Sequence, residues 1–394
     1  MLLRRLAASS LAIVFLLAAL PARTARHPQY GGTLRVELGA AVASLDPGVS
    51  TITPDQGLAK TQIDSLIYES RDPDGSFNGD VGSGPFKIFS WQPGKQLTLQ
   101  ANEKFRDGRP FVDSIEIAMG RSLRDRLLDL ELNKSDLTGI PAQEARHAAE
   151  SGVRLSQSQP DELLALVFLD DRPAASKTRT RQIIGPALTL AIDRLAIVNF
   201  LLQKVGEPTG ALLPQWSSGT SFLFSTAADV PRAKELWSQI TPSPNIVLGY
   251  DSADALEQSV AERIVVNAKE AGISMTAVAN PANKSPKLDA RLVRVPMLSP
   301  HPANALNEIL QNLSSLAGSA SIPYPLPESS SPEDIYKRER EILGSYRIVP
   351  LVWLPQVYGL SARVRNWTAP APGQAWPLAD VWLDTNDKSS DLKD

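Results

Sequence analysis

Apolar and polar positions alternate in short runs along much of this chain. After Gly31-Gly32, Leu34, Val36 and Leu38 fall on one face, which predicts a turn and then a strand. Ser44-Leu45-Asp46-Pro47 breaks it, because proline cannot donate to a ladder. A short helix is expected near Gln56 to Tyr68, inside a mostly polar stretch. Gln96 to Gln100 and Ser114 to Ala118 alternate cleanly and predict an antiparallel pair with a turn-rich link. Ala187 to Lys204 reads as an apolar-rich helix that stops before Gly206, with Gly185-Pro186 at its beginning. Ile246 to Leu248, a helix through Ala271 and Ile273 to Val278 form a β-α-β unit, with Ser252 or Asp254 as the cap and Gly272 as the stop. Ser331-Pro332-Glu333-Asp334 has capping-box spacing and opens a helix to about Gly344. Ile348 to Leu354 is a buried strand. Strands alternating with helices argue an α/β fold.

The N-terminus changes the picture. Arg4 and Arg5 precede an almost uninterrupted apolar run, Leu6 to Leu20, and Pro21-Ala22 follow. This is the pattern of a cleavable signal peptide over residues 1–25. The run is shorter than the ~20 residues a spanning helix needs. The 394 residues carry 40 basic and 43 acidic side chains, a net charge of −3, so nothing argues for nucleic acid. The absence of cysteine removes a thiol nucleophile, a disulfide framework, cysteine metal sites and an N-terminal lipid anchor. A free periplasmic protein is therefore expected, ending in a frayed polar tail, Asn386 to Asp394.

Catalytic constellations do not assemble. The three histidines, His27, His147 and His301, have no ligand spacing. No nucleophile elbow and no phosphate-cradling glycine loop occurs. No enzyme activity, metal or cofactor is expected.

Four ordered blocks resemble one family, the extracellular solute-binding proteins of family 5, the dipeptide and oligopeptide type. The first is Gly31-Gly32-Thr33-Leu34-Arg35-Val36 with Ser44-Leu45-Asp46-Pro47. The second is Gly82-Ser83-Gly84-Pro85-Phe86-Lys87-Ile88 with Trp91, Pro93-Gly94 and Leu97-Thr98-Leu99. The third is Arg181-Gln182, Ala191-Ile192-Asp193-Arg194, Ala196-Ile197, Gly206-Glu207-Pro208 and Leu213-Pro214. The fourth runs from Ile348 to Tyr358, with Arg363-Val364 and Trp367.

The resemblance implies a two-lobed periplasmic-binding-protein clamp of type II with mixed sheets. Lobe I would hold residues 26–165 plus 346–394, and lobe II residues 166–345. Ligand, a peptide or related small solute, would lie in the cleft, and the monomer would present it to the permease of an ABC transporter. Ligand contacts are expected from Ser44 and Asp46 after the first strand, Trp216 after the Leu-Pro turn, His301 and Tyr324 in proline-rich loops, and Trp353 and Tyr358 along the return strand. The aromatics offer large, rigid contact area. Two departures stand out. Only Gly48 to Val81 separates the opening strand from the Gly-Pro-Phe block, so the first lobe is reduced. Near Pro300-His301-Pro302, where relatives carry a tryptophan and acidic residues, Arg294, Leu298 and Ser299 stand, and an acidic partner for a peptide's amino group is not evident. The alternative reading is a repurposed member that acts as a sensor or partner-binding module without uptake.

Overall fold

In the first strand, β1 (Thr33–Glu37), Leu34 and Val36 are buried, and the left-handed backbone at Gly31 and Gly32 turns the chain into it. The computed structural model describes residues 27–45, 54–67, 83–169, 174–218, 225–280, 288–317 and 325–384. The expected signal peptide, the polar tail, Asp46 and Tyr324 lie outside them.

The remaining strands are β2 (Phe86–Gln92), β3 (Gln96–Ala101), β4 (Ser114–Ala118), β5 (Leu137–Ile140), β6 (Arg154–Phe168), β7 (Glu207–Pro208), β8 (Ile246–Tyr250), β9 (Met275–Ala279), β10 (Ala290–Pro296), β11 (Ile348–Leu360), β12 (Val364–Arg365) and β13 (Trp382–Leu383). Eleven of the described strands form one mixed sheet in the order β2-β3-β4-β1-β5-β11-β6-β10-β8-β9, with β7 on β11. The expected antiparallel pairing of β3 with β4 is present, and β2 adds a hairpin to it. β8 and β9 are parallel and joined by the helix Ala255–Glu270, whose buried stripe is Leu256, Val260, Ile264 and Ala268. Of the two candidate caps, Asp254 serves, accepting from the N–H groups of Leu256 and Glu257. Ser331 caps the helix Pro332–Gly344 as its spacing predicted.

The polar stretch before the second block holds the helix Pro54–Ile67, with Ala59, Ile63, Leu66 and Ile67 buried. Its end meets Gly84 so closely that a Cβ there would lie 2.5 Å from the Ile67 carbonyl carbon and 2.6 Å from the Leu66 oxygen. The glycine of the Gly-Pro-Phe block thus lets the helix dock on the start of β2.

One expectation is corrected. Pro186 does not open a helix: it lies inside the helix Ala174–Ala191. The break comes later, at Asp193, whose side chain accepts from the Ala196 N–H and whose own N–H is taken by Asn267. A short helix, Arg194–Ala196, and a wide turn, Ile197–Leu201, follow. The break is set by the Asp193 cap together with Asn267 of the helix Ala255–Glu270, a distant contact that local propensity does not carry.

The core has separate parts. One packs Leu34 through Leu137 with Tyr358, Leu360, Val364, Trp367, Trp376 and Leu383. Asp136, fully buried, is bound by Arg363 at 2.5 Å and by Ser361 at 2.8 Å, which ties the returning chain to this part. Two others flank the far half of the sheet. Leu164, Leu166 and Phe168 face the helices 174–191 and 255–270, while Leu163, Ala165 and Val167 face the helices 302–317 and 332–344. β6 and β11 run through both halves.

Candidate functional site

The parallel strands of both halves end at the same place. β1, β4 and β5 are parallel, and Ile140 at the end of β5 pairs with Val357 of β11. β8, β9 and β10 are parallel, and Pro296 at the end of β10 pairs with Glu162 of β6. Both sets therefore direct their carboxyl ends toward the middle of the β6–β11 pair. Crevices at such ends are where open α/β sheets take ligands.

That middle is irregular. Between Leu354 and Val357 the register shifts twice, and Pro355 faces Pro160. Neither proline can donate a ladder hydrogen bond. Polar side chains fill in: Ser158 Oγ accepts from the Gln356 N–H at 2.9 Å, and Trp216 Nε1 donates to the Pro160 carbonyl at 2.9 Å.

Asp161 sits at this crossing and is 3% exposed. Gln356 Nε2 donates to its Oδ2 at 2.8 Å. Gln356 Oε1 in turn accepts from Tyr358 OH at 2.5 Å, and Gln62 Nε2 donates to Tyr358 OH at 3.1 Å. Among the described residues nothing bonds to Asp161 Oδ1. Burial first, and the neighbouring Glu162 second, push the Asp161 carboxyl up to about 8. The Asp161 carbonyl accepts from the Met297 N–H at 2.7 Å, which joins the crossing to the segment after β10.

The edge of the far half carries a charge cluster. Arg294 bonds Glu162 at 2.6 Å and Asp254 at 2.7 Å, and these carboxylates hold its guanidinium firmly charged. Glu257 accepts from the Asp251 N–H at 2.7 Å, and burial lifts its carboxyl to about 7. On the near edge Arg121 bonds Asp129 at 2.6 Å and lies 3.4 Å from Glu37. Burial, and then Asp129, raise the Glu37 carboxyl. Arg126, largely buried, donates to Thr138 Oγ1 at 3.1 Å and to the Gly139 carbonyl.

The expected contacts are distributed unevenly. Trp216 and Tyr358 reach the crossing. Trp353 does not face open space: it is 1% exposed and packs with Leu163, Leu212 and Ile309. His301 is exposed, 3.4 Å from Glu328, beside the helix Pro302–Ala317. Ser44 is half-buried in the segment after β1. Sequence reasoning missed Asp161, Gln356 and Gln62. Its available signal was polar residues beside prolines inside apolar strand runs, Pro160-Asp161-Glu162 and Pro355-Gln356.

Comparison with known proteins gives consistent matches. Residues 31–313 match the family model described as bacterial extracellular solute-binding proteins, family 5 Middle. Protein XP55 of Streptomyces lividans is 26% identical over 227 residues, 53% of this chain and 41% of that protein. The oligopeptide-binding protein AppA of Bacillus subtilis is 26% identical over 153 residues, 39% of this chain and 27% of that protein. The matched stretches thus span less than half the length of these curated relatives. The solved ABC transporter substrate binding protein CtaP of Listeria monocytogenes superimposes with a TM-score of 0.68 at 15% identity, covering 90% of this chain and 100% of that one. AppA in complex with a nonapeptide gives 0.64 at 13% identity, covering 91% and 100%. These solved structures share the fold.

Proposed function

Since the chain belongs to the bacterial extracellular solute-binding proteins of family 5, we propose that it binds peptides between its two lobes and presents them to the permease of an ABC transporter. The observation that carries this reading is the convergence of two sets of parallel strands on one crossing. There the ladder is interrupted by facing prolines, and polar groups from both halves meet. A clamp needs a place where its connecting strands bend, and a ligand that touches both halves favours the closed form by its differential affinity. The naming of AppA as oligopeptide-binding, and its capture of a nonapeptide, support peptides as the ligand class. The lobes would be residues 26–165 plus 346–394 and residues 166–345, and the protein would work as a periplasmic monomer. Glu162, Arg294 and Asp254 on one edge and Glu37 and Arg121 on the other are half-buried or buried ion pairs that hold the cleft walls.

Thermal unfolding with and without a pool of short peptides tests the ligand class. At a peptide concentration 100 times the dissociation constant the midpoint should rise, reflecting a stabilisation of about 2.7 kcal/mol. A midpoint unmoved by peptides of any length from two to nine residues overturns the reading.

A further inference from the structure

We propose that the turn Ala371-Pro372-Gly373-Gln374 is a latch between the halves: it seats Gly373 of one half on the Leu298 carbonyl of the other and favours the closed clamp. The proposal rests on the two-lobed peptide-binding reading and adds the contact that biases its closure. A Cβ on Gly373 would overlap the Leu298 carbonyl oxygen and stand 3.0 Å from the carbonyl carbon, with Pro300 Cδ 3.8 Å away. Only glycine lets two backbones approach so closely. The local sequence builds the turn. The Gln374 N–H donates to the Ala371 carbonyl at 2.9 Å, and proline followed by glycine at φ 67° is the type II arrangement. Gly373 thus answers two demands at once, the left-handed backbone and the close approach.

Each side of the contact is anchored in its own half. Just after the turn, Trp376 is buried edge-on against Trp367 and Tyr358, and its backbone N–H donates to Ser65 Oγ of the helix Pro54–Ile67 at 3.1 Å. Just before Leu298, Met297 is buried with Leu163 and Val293, and its N–H donates to the Asp161 carbonyl at 2.7 Å. The contact therefore lies on the flank of the crossing, at the carboxyl end of β10. Leu298 itself stays 46% exposed. Among the described residues no hydrogen bond joins the turn to residues 297–301, and glycine has no side chain to interlock. The contact can be made and broken without disturbing either core, whereas β6 and β11 are hydrogen-bonded through both halves. Two anchored segments that touch beside a bending point act on the angle between the halves. A contact that favours the closed form raises the fraction able to hold ligand, and the apparent affinity rises with it.

The test compares Gly373→Ala with Gly152→Ala in the full chain. Gly152 also has a left-handed backbone, at φ 90°, but nothing lies within 4 Å of its Cβ position. Both variants meet a left-handed backbone, and only Gly373→Ala meets the other half. Both glycines are exposed, so both variants should fold. Energy transfer between dyes at Lys104→Cys and Glu270→Cys, on opposite halves, is measured without and with a pool of tri- to pentapeptides. Equilibrium dialysis against the same pool gives the affinity. Gly373→Ala should lower the transfer and raise the dissociation constant roughly 10-fold or more, as overfilling a tight contact does. Gly152→Ala should match the parent in both. A lower transfer in Gly373→Ala alone supports the latch whatever the affinity. Equal transfer in all three proteins overturns it, and a loss of affinity at equal transfer would then place Gly373 in the ligand site instead. If the parent retains no peptide, the peptide reading fails, and transfer without peptide decides the latch by the same rule.

Discussion

Glu339 is a carboxylate held where water hardly reaches, at 3% exposure. It accepts from the backbone N–H groups of Leu212 and Leu213, and so pins the loop before Trp216 to the helix Pro332–Gly344. Burial lifts its carboxyl to about 7, although both N–H groups pull the other way. Because the folded value is raised above the ordinary carboxylate value, the folded state favours the protonated form. The associated stability is fully present below about pH 4.5, declines as pH rises toward 7, and is gone above it. Glu339→Gln keeps an acceptor for the two N–H groups and cannot ionise. Relative to the parent it should therefore gain on the order of 1–3 kcal/mol between pH 5 and pH 8. Chemical denaturation at the two pH values measures this. An unchanged difference between the two proteins would mean that Glu339 does not titrate in that window. Residues of this kind were not legible in the sequence, since Glu339 lies among Arg338, Arg340 and Glu341 and reads as part of a solvated face. Aromatic residues drew the prediction instead, and Trp353 proved to be core. Asp161 and Gln356 acquire their setting only when β6 and β11 pair across some two hundred residues of chain.

At the scale of elements, legibility followed locality. The helix Ala255–Glu270 announced itself by a cap at Ser252 or Asp254, a four-residue apolar stripe and a closing glycine, all within one segment. The first turn of Pro332–Gly344 did likewise. The helix Ala174–Ala191 did not, because its continuity past Pro186 is a matter of tertiary packing. There Gly185 lies against Tyr346, the residue that leaves the helix Pro332–Gly344 with a left-handed backbone at φ 51°. A Cβ on Gly185 would overlap the Tyr346 Cβ and stand 3.1 Å from its carbonyl oxygen. Helix propensity alone says that Gly185→Ala should stabilise by up to about 1 kcal/mol. The contact with Tyr346 reverses that sign, since its backbone cannot move away without shifting β11. The variant should lose about 1–3 kcal/mol, as overpacked sites do. Equilibrium unfolding in urea decides between the two, and a stabilised variant would show that Tyr346 yields freely.

For the whole molecule the question is whether the two halves move. The sheet is continuous, and a continuous sheet resists bending wherever its ladder is complete. Here, among the described residues, two strands carry the connection, and at their midpoint Pro160 faces Pro355 with no ladder donor on either. The side chains bridging that point include Gln62, Gln356, Tyr358 and Asp161, joined by hydrogen bonds that can be exchanged. The family resemblance made a clamp legible from the order of its blocks, but the bending point depends on which residues pair across β6 and β11. The chain has no cysteine, so two introduced ones take dyes without competition. Lys104→Cys after β3 and Glu270→Cys at the end of the helix Ala255–Glu270 occupy exposed positions on opposite halves. Energy transfer between them should rise when a pool of short peptides is added. A rise in melting midpoint with no change in transfer would mean that ligand binds to a rigid body. The facing prolines would then be a local irregularity of the sheet without a mechanical role.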